Sequence, residues 1–121
     1  MRILFLDDDD IRHKQFASIA FEHEVVHVRT AASAIEALDL AYLTDNTFDY
    51  GSLDHDLGGE HMASGPGHGY DVAVWCEEFP EKAPKRVVVH SYNPAGAKRM
   101  LAAFRQANIP AISMAFPTWV P

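Results

Sequence analysis

Arg2-Ile3-Leu4-Phe5-Leu6-Asp7-Asp8-Asp9-Asp10 is the stretch from which the rest of the chain can be read. An unbroken apolar run describes a strand buried on both faces, which is how parallel strands lie between layers of helices. The run gives way to four aspartates after too few residues for a signal-peptide core or a membrane span, so a cytoplasmic location is expected. The aspartates therefore stand at the carboxyl end of a strand. Asp9 or Asp10 can cap a helix over residues 11–21 whose inner face carries Phe16, Ile19 and Ala20.

Outward from this start, strand and helix patterns alternate along the chain. Residues 24–29 form a β-branched second strand, and Thr30 caps a helix that buries Ala31, Ala34, Ile35, Leu38 and Tyr42 at helical spacing. Residues 48–54 make the third strand. The loop from Leu57 to Gly69 is longer than most connections in compact domains, a length that marks functional loops. His61 and His68 lie in it, with a lid role and plain surface exposure both open. A helix over residues 70–79 turns Val72, Trp75, Cys76 and Phe79 inward, and residues 85–90 form a strand centred on Val87-Val88-Val89. Asn93 caps the next helix and Pro94 takes its first position, with Ala97, Met100, Leu101 and Phe104 buried and Asn108 and Pro110 as the stop. Residues 111–116 supply a fifth strand.

Such alternation specifies an α/β fold in three layers, with helices on both faces of a five-stranded parallel sheet. Right-handed crossovers favour the strand order 2-1-3-4-5. A fifth helix is missing, which leaves part of one sheet face bare. Thr118-Trp119-Val120, or a second copy of the chain in a homodimer, is expected to cover it.

A chain of 121 residues has the size of one domain, residues 1–121, and 48% hydrophobic with 22% charged residues is enough for a real core. Cys76 is the single cysteine, so no internal disulfide forms. A net charge of -7 argues against an extended footprint on duplex DNA or RNA, which needs many Lys and Arg contacts. A small phosphorylated ligand or a nucleic-acid end remains a suitable partner, and a membrane does not.

Ligands of open parallel sheets bind beyond the carboxyl ends of the strands, where the strand order reverses. Here those ends deliver Asp7 to Asp10, then Asp54-His55-Asp56, then His90-Ser91. Carboxylates gathered in one crevice repel each other, and a hard cation relieves them. Mg2+, or Mn2+, suits Asp7, Asp8 and Asp54 as ligands, with the carbonyl of Asp56 as a further donor. Ser91, Asn93 and Gly96 at the start of a helix offer a hydroxyl, backbone N–H groups and a positive helix end to a phosphate, and Arg12 can reach a phosphate oxygen from the first turn. His55 and His90, at the ends of neighbouring strands, suit general acid–base work on a phosphate ester.

A strand running into an acidic cluster, a strand ending in a key aspartate and a strand ending in a small hydroxyl residue together resemble the receiver domains of two-component response regulators. That resemblance implies a flavodoxin-like, receiver-like fold, metal binding by Asp7, Asp8 and Asp54, Asp54 in the phosphoacceptor place and Ser91 in the switch-hydroxyl place. One departure is plain: receivers carry a lysine after strand five, whereas Ala115-Phe116-Pro117 stands there and no Lys or Arg follows Arg105. A closer resemblance is to the variant group of cyclic-phosphate processing receiver domains. It rests on Leu6-Asp7-Asp8 with Arg12, Ser52-Leu53-Asp54-His55-Asp56-Leu57-Gly58, Gly69-Tyr70-Asp71, and Val89-His90-Ser91-Tyr92-Asn93-Pro94-Ala95-Gly96.

That second resemblance implies processing of cyclic phosphates, including those at damaged RNA ends. The expected activity is then a metal-dependent phosphoesterase acting on a cyclic phosphate, by an activated water with His55 and His90 moving protons, or by direct attack of Asp54 with Ser91 beside it. The alternatives are a receiver-like signalling or phosphate-sensing module with Asp54 as phosphoacceptor and no turnover, and an inactive dimerising scaffold.

Overall fold

In the computed structural model, which describes residues 1–58 and 67–116, the strands are β1 (Arg2–Leu6), β2 (Glu24–Val28), β3 (Tyr50–Leu53), β4 (Arg86–Val89) and β5 (Ala111–Ser113). The helices are α1 (Asp10–Ile19), α2 (Ala31–Leu43), α3 (Gly69–Glu78) and α4 (Pro94–Gln106), with a 3-10 turn at Pro80–Lys82. All strands pair in parallel in the order β2-β1-β3-β4-β5, the expected doubly wound sheet. No helix of the described residues is long and apolar enough to cross a membrane.

The apolar run of β1 splits by alternation. Leu4 and Leu6 join the larger core with Leu38, Leu53, Val72, Met100 and Phe104, while Ile3 and Phe5 join Phe16, Ala20, Val88 and Phe116 on the opposite face. The second face is the one expected to lack cover. Phe116, just past β5, lies against Phe5 with ring centroids 5.9 Å apart and supplies part of that cover. Thr118, Trp119 and Val120, expected to complete it, lie outside the described residues.

Local chemistry sets the helix starts. Asp9 caps α1 by accepting from the N–H of Ile11 and Arg12, Thr30 caps α2, and Asn93 caps α4 with Pro94 in the first position. The inner faces differ from expectation at single residues. Ile19 is exposed while His13, Phe16 and Ala20 form the buried stripe of α1, and Tyr42 is exposed while Ala41 continues the stripe Ala31, Ala34, Leu38. Each displaced residue sits one position beside its stripe, about 100° around a helix of 3.6 residues per turn.

β5 stops at Ser113, short of the expected residue 116, and β3 begins at Tyr50 rather than at residue 48. Phe48 is nevertheless buried immediately before it. The close approach of α3 to β3 depends on Gly69, where an added Cβ would overlap the main-chain carbonyl oxygen of Asp54. Gly69→Ala is expected to destabilise the fold by roughly 1–3 kcal/mol, as overpacking against rigid backbone does. A urea midpoint equal to that of the parent would show that α3 does not start against this carbonyl.

Candidate functional site

The sheet register builds the site. Leu6 is the partner of Leu53 and Leu53 of Val89, so the next residues, Asp7, Asp54 and His90, emerge as one row across β1, β3 and β4 at their carboxyl ends. The N–H of Asp54 donates to Leu6 O at 2.9 Å and that of His90 to Leu53 O at 3.0 Å, continuing the ladder into the row. One ligand atom from each of the three side chains lies within 4.8 Å of the others.

Asp7 is fully buried and held from every side. His90 Nε2 donates to Oδ2 at 2.9 Å, Arg12 Nε to the same oxygen at 2.7 Å, and the Asp9 N–H to Oδ1 at 2.8 Å. Burial opposes ionisation, but these donors outweigh it and hold the carboxyl well below its ordinary range. Behind it, His13 Nε2 donates to the Asp7 carbonyl at 2.7 Å, and the His13 and His27 Nδ1 atoms are 2.7 Å apart. Burial, with the neighbouring His13, pushes His27 below its usual value.

His90 is 2% exposed, stacked on Phe5 at 5.0 Å between ring centroids, with Nδ1 2.8 Å from Ser52 Oγ. Burial pushes its pKa down despite the Asp7 carboxylate, so the neutral ring donates from Nε2 and accepts the Ser52 hydroxyl at Nδ1. Both nitrogens of His90, expected to move protons, are thus engaged, and in this arrangement the ring holds Asp7 in position. Ser52, to which no task was assigned, completes the support; a hydroxyl within a buried apolar strand was its signal.

Arg12, expected on a phosphate oxygen, lies within the carboxylates. Its Nη2 is 3.6 Å from Asp8 Oδ1 and from Asp54 Oδ2, and Nη1 is 3.6 Å from Asp9 Oδ2. Asp8 and Asp54 thus flank one nitrogen. This guanidinium is the cation beside Asp54 that the sequence lacks after strand five. One positive charge among Asp7, Asp8, Asp9 and Asp54 leaves the nest negative. Burial and the neighbouring Asp7 charge, only partly offset by Arg12, raise the Asp54 pKa to about 7. Burial likewise raises that of Asp8. Asp7, Asp8 and Asp54 offer oxygen donors, the donor chemistry that a hard divalent cation such as Mg2+ or Mn2+ takes.

Asp54 Oδ1 accepts from the His55 N–H at 2.9 Å, which fixes its orientation. His55 Nδ1 is 2.8 Å from Asp56 Oδ1, and this bond lowers the Asp56 pKa. The contacts of His55 are with Asp56 and with His68, on which it stacks with centroids 5.2 Å apart, while those of His90 are with Asp7 and Ser52. His68 is brought there by an antiparallel bridge between Asp56 and His68, while the Asp71 carboxylate accepts the His68 N–H at 2.9 Å. His61 lies outside the described residues.

At α4 the expected phosphate cradle is partly closed by its own caps. Ser91 Oγ accepts the Asn93 N–H at 3.0 Å, and Asn93 Oδ1 accepts the Gly96 N–H at 3.0 Å. Gly96 therefore has no donor left for a phosphate. Its place is beneath His55, where a Cβ would stand 2.5 Å from the imidazole. Ser91 keeps its hydroxyl hydrogen, and the Asn93 amide donates to Asp56 Oδ1 at 3.3 Å.

Comparison with known proteins agrees with the fold. Residues 2–106 match the family model described as the cyclic-phosphate processing receiver domain. Among solved structures the chain is similar to the response regulator receiver domain protein (CheY-like) from Methanospirillum hungatei JF-1, at 18% identity and TM-score 0.62 over 98% of this chain and 82% of that one. It is similar to the signal receiver domain of an HD domain-containing protein from Pseudomonas fluorescens Pf-5, at 14% identity and TM-score 0.65 over 96% and 82% of the two chains. NtrX from Brucella abortus shares 26% identity at TM-score 0.58 over 95% of this chain and 24% of that one. No curated protein matches the chain.

Proposed function

Because the chain belongs to the cyclic-phosphate processing receiver domain family, we propose that its crevice binds a cyclic phosphate, on a nucleotide or an RNA end, and opens it by hydrolysis. The observation that carries the reading is the row Asp7, Asp54 and His90 with Arg12 in its midst, flanked by an imidazole–carboxylate pair. Asp7, Asp8 and Asp54 would hold Mg2+ or Mn2+, which when bound supplies positive charge to the phosphate oxygens and lowers the proton affinity of water.

The chain's own groups supply the remainder. A carboxylate only accepts, so the proton between His55 and Asp56 sits on Nδ1, and Nε2 is left as the basic atom. His55 takes a proton from water as its oxygen bonds to phosphorus, then returns that proton to the ester oxygen as the ring P–O bond breaks. A phosphate monoester and a free hydroxyl result. Arg12 offsets the negative charge that gathers on the phosphoryl oxygens, and the Ser91 hydroxyl and Asn93 amide donate to those oxygens.

Purified protein with Mg2+ or Mn2+ is expected to open members of a 2',3'-cyclic phosphate panel, with a loss of about 100- to 10,000-fold in His55→Ala, the range for one positioned acid–base group. A second reading is favoured by the guanidinium 3.6 Å from Asp54, a counter-charge for an aspartyl phosphate. It makes the protein a receiver-like signalling module with Asp54 as phosphoacceptor. No turnover on the panel, together with the mass gain of one phosphoryl group from acetyl phosphate that is absent in Asp54→Asn, would decide for it.

A further inference from the structure

Beside the carboxylate nest, a second set of donor atoms gathers among the described residues: one each from His55, Asp56 and His68, all within 4.8 Å of one another. We propose that these three side chains form a binding site for a borderline divalent ion of the zinc class, separate from the nest of Asp7, Asp8 and Asp54. Two imidazoles with one carboxylate is a donor mix that zinc accepts readily, whereas Mg2+ takes oxygen ligands.

The fold supports the cluster independently of any ion. The bridge between Asp56 and His68, with the Gly69 N–H donating to His55 O at 2.9 Å, fixes the main chain of the donors relative to each other. The two rings lie 25° from parallel, and Gly96 leaves the space that the His55 ring fills. Asn93 Nδ2 donates to Asp56 Oδ1, the kind of outer partner that orients a metal ligand. The Asp56 side chain is 60% exposed, which gives an ion an entry from solvent. Three protein donors leave a coordination position for water or a ligand oxygen.

An ion here takes the place of the proton shared by His55 and Asp56, so zinc would withhold His55 from the transfers proposed above and stop turnover. That consequence rests on the hydrolytic reading; the binding does not.

Calorimetric titration of the full chain with Zn2+ in saturating Mg2+ tests the site. The parent is expected to bind one ion per chain, and His68→Ala and Asp56→Asn each to weaken binding about tenfold or more, at least the effect of removing an outer partner. His27→Ala is the control, because His13 and His27 form the other imidazole pair, and it should leave zinc affinity unchanged. No zinc binding, parent-like affinity in either site variant, or loss of binding in His27→Ala would overturn the proposal. Zinc binding without phosphoesterase activity leaves the site standing and removes only the hydrolytic reading; activity without zinc binding does the reverse.

Discussion

Asp54→Asn is expected to make the protein more stable at pH 8 while removing its proposed activity. The Asp54 carboxyl holds its proton up to about pH 7 in the folded chain, against an ordinary value of 3.8, chiefly because it is buried and secondly because Asp7 lies beside it. Between those two values the folded state binds more protons than the unfolded one, so this group's contribution to stability falls as pH rises through the window. Well above pH 7 the full cost of an ionised, crowded carboxylate is present, about 4 kcal/mol for a shift of this size. Asparagine does not titrate, keeps the acceptor for the His55 N–H and escapes that cost. Urea denaturation in the presence of a chelator should therefore show a gain at pH 8 that shrinks towards pH 4. Added Mg2+ should raise the melting temperature of the parent and not that of the variant. A variant no more stable than the parent at pH 8 would mean that Asp54 is not crowded by its neighbours.

His90→Ala has the opposite sign. The ring is buried, stacked on Phe5, and bonded to both Ser52 and Asp7. Its removal leaves a cavity and deprives the buried Asp7 carboxylate of one of its donors, for a loss of about 3–5 kcal/mol. The pH window is also reversed. A buried imidazole with a depressed pKa resists protonation, so the unfolded state binds more protons below its ordinary value of 6.5, and this contribution to stability is lost as pH falls. His90→Phe, which keeps the ring against Phe5 but drops both hydrogen bonds, separates cavity from electrostatics. A loss below about 1 kcal/mol in His90→Ala would remove the positioning role.

The topology and most of the buried positions were legible in the sequence, because an apolar run without alternation followed by a capped helix admits few architectures. The gathering of carboxylates at strand ends followed from the same rule. Three features were not legible. Arg12 is expected to reach a phosphate oxygen from the first turn, but its place among the carboxylates comes from the turn through Asp9, whose side chain caps α1 and carries it back over Asp7 and Asp54. The partners of His90 depend on register: Ser52 and Asp7 become its neighbours only once Leu53 is aligned with Leu6 and Val89. His68 sits at the end of a long loop, and its place against His55 comes from a single backbone bridge to Asp56 that no periodicity announces. Gly96 is expected at a phosphate because its backbone N–H stands at a positive helix end; in the structure that N–H bonds Asn93 Oδ1, and the imidazole of His55 fills the space of the missing Cβ.

The stagger of β1 against β3, which sets Leu6 beside Leu53, also limits how this chemistry can be transplanted. Asp7 and Asp54 come from chain segments 47 positions apart in sequence, and what keeps them adjacent is the sheet ladder beneath them, continued by the Asp54 N–H to Leu6 O bond. A designer moving the site into a new scaffold would have to copy two neighbouring parallel strands in the same alignment, since grafted loops alone would let the like charges drift apart. Among natural descendants of this chain, a one-residue slip in either strand would break the row of Asp7, Asp54 and His90 while leaving every acidic residue in the gene.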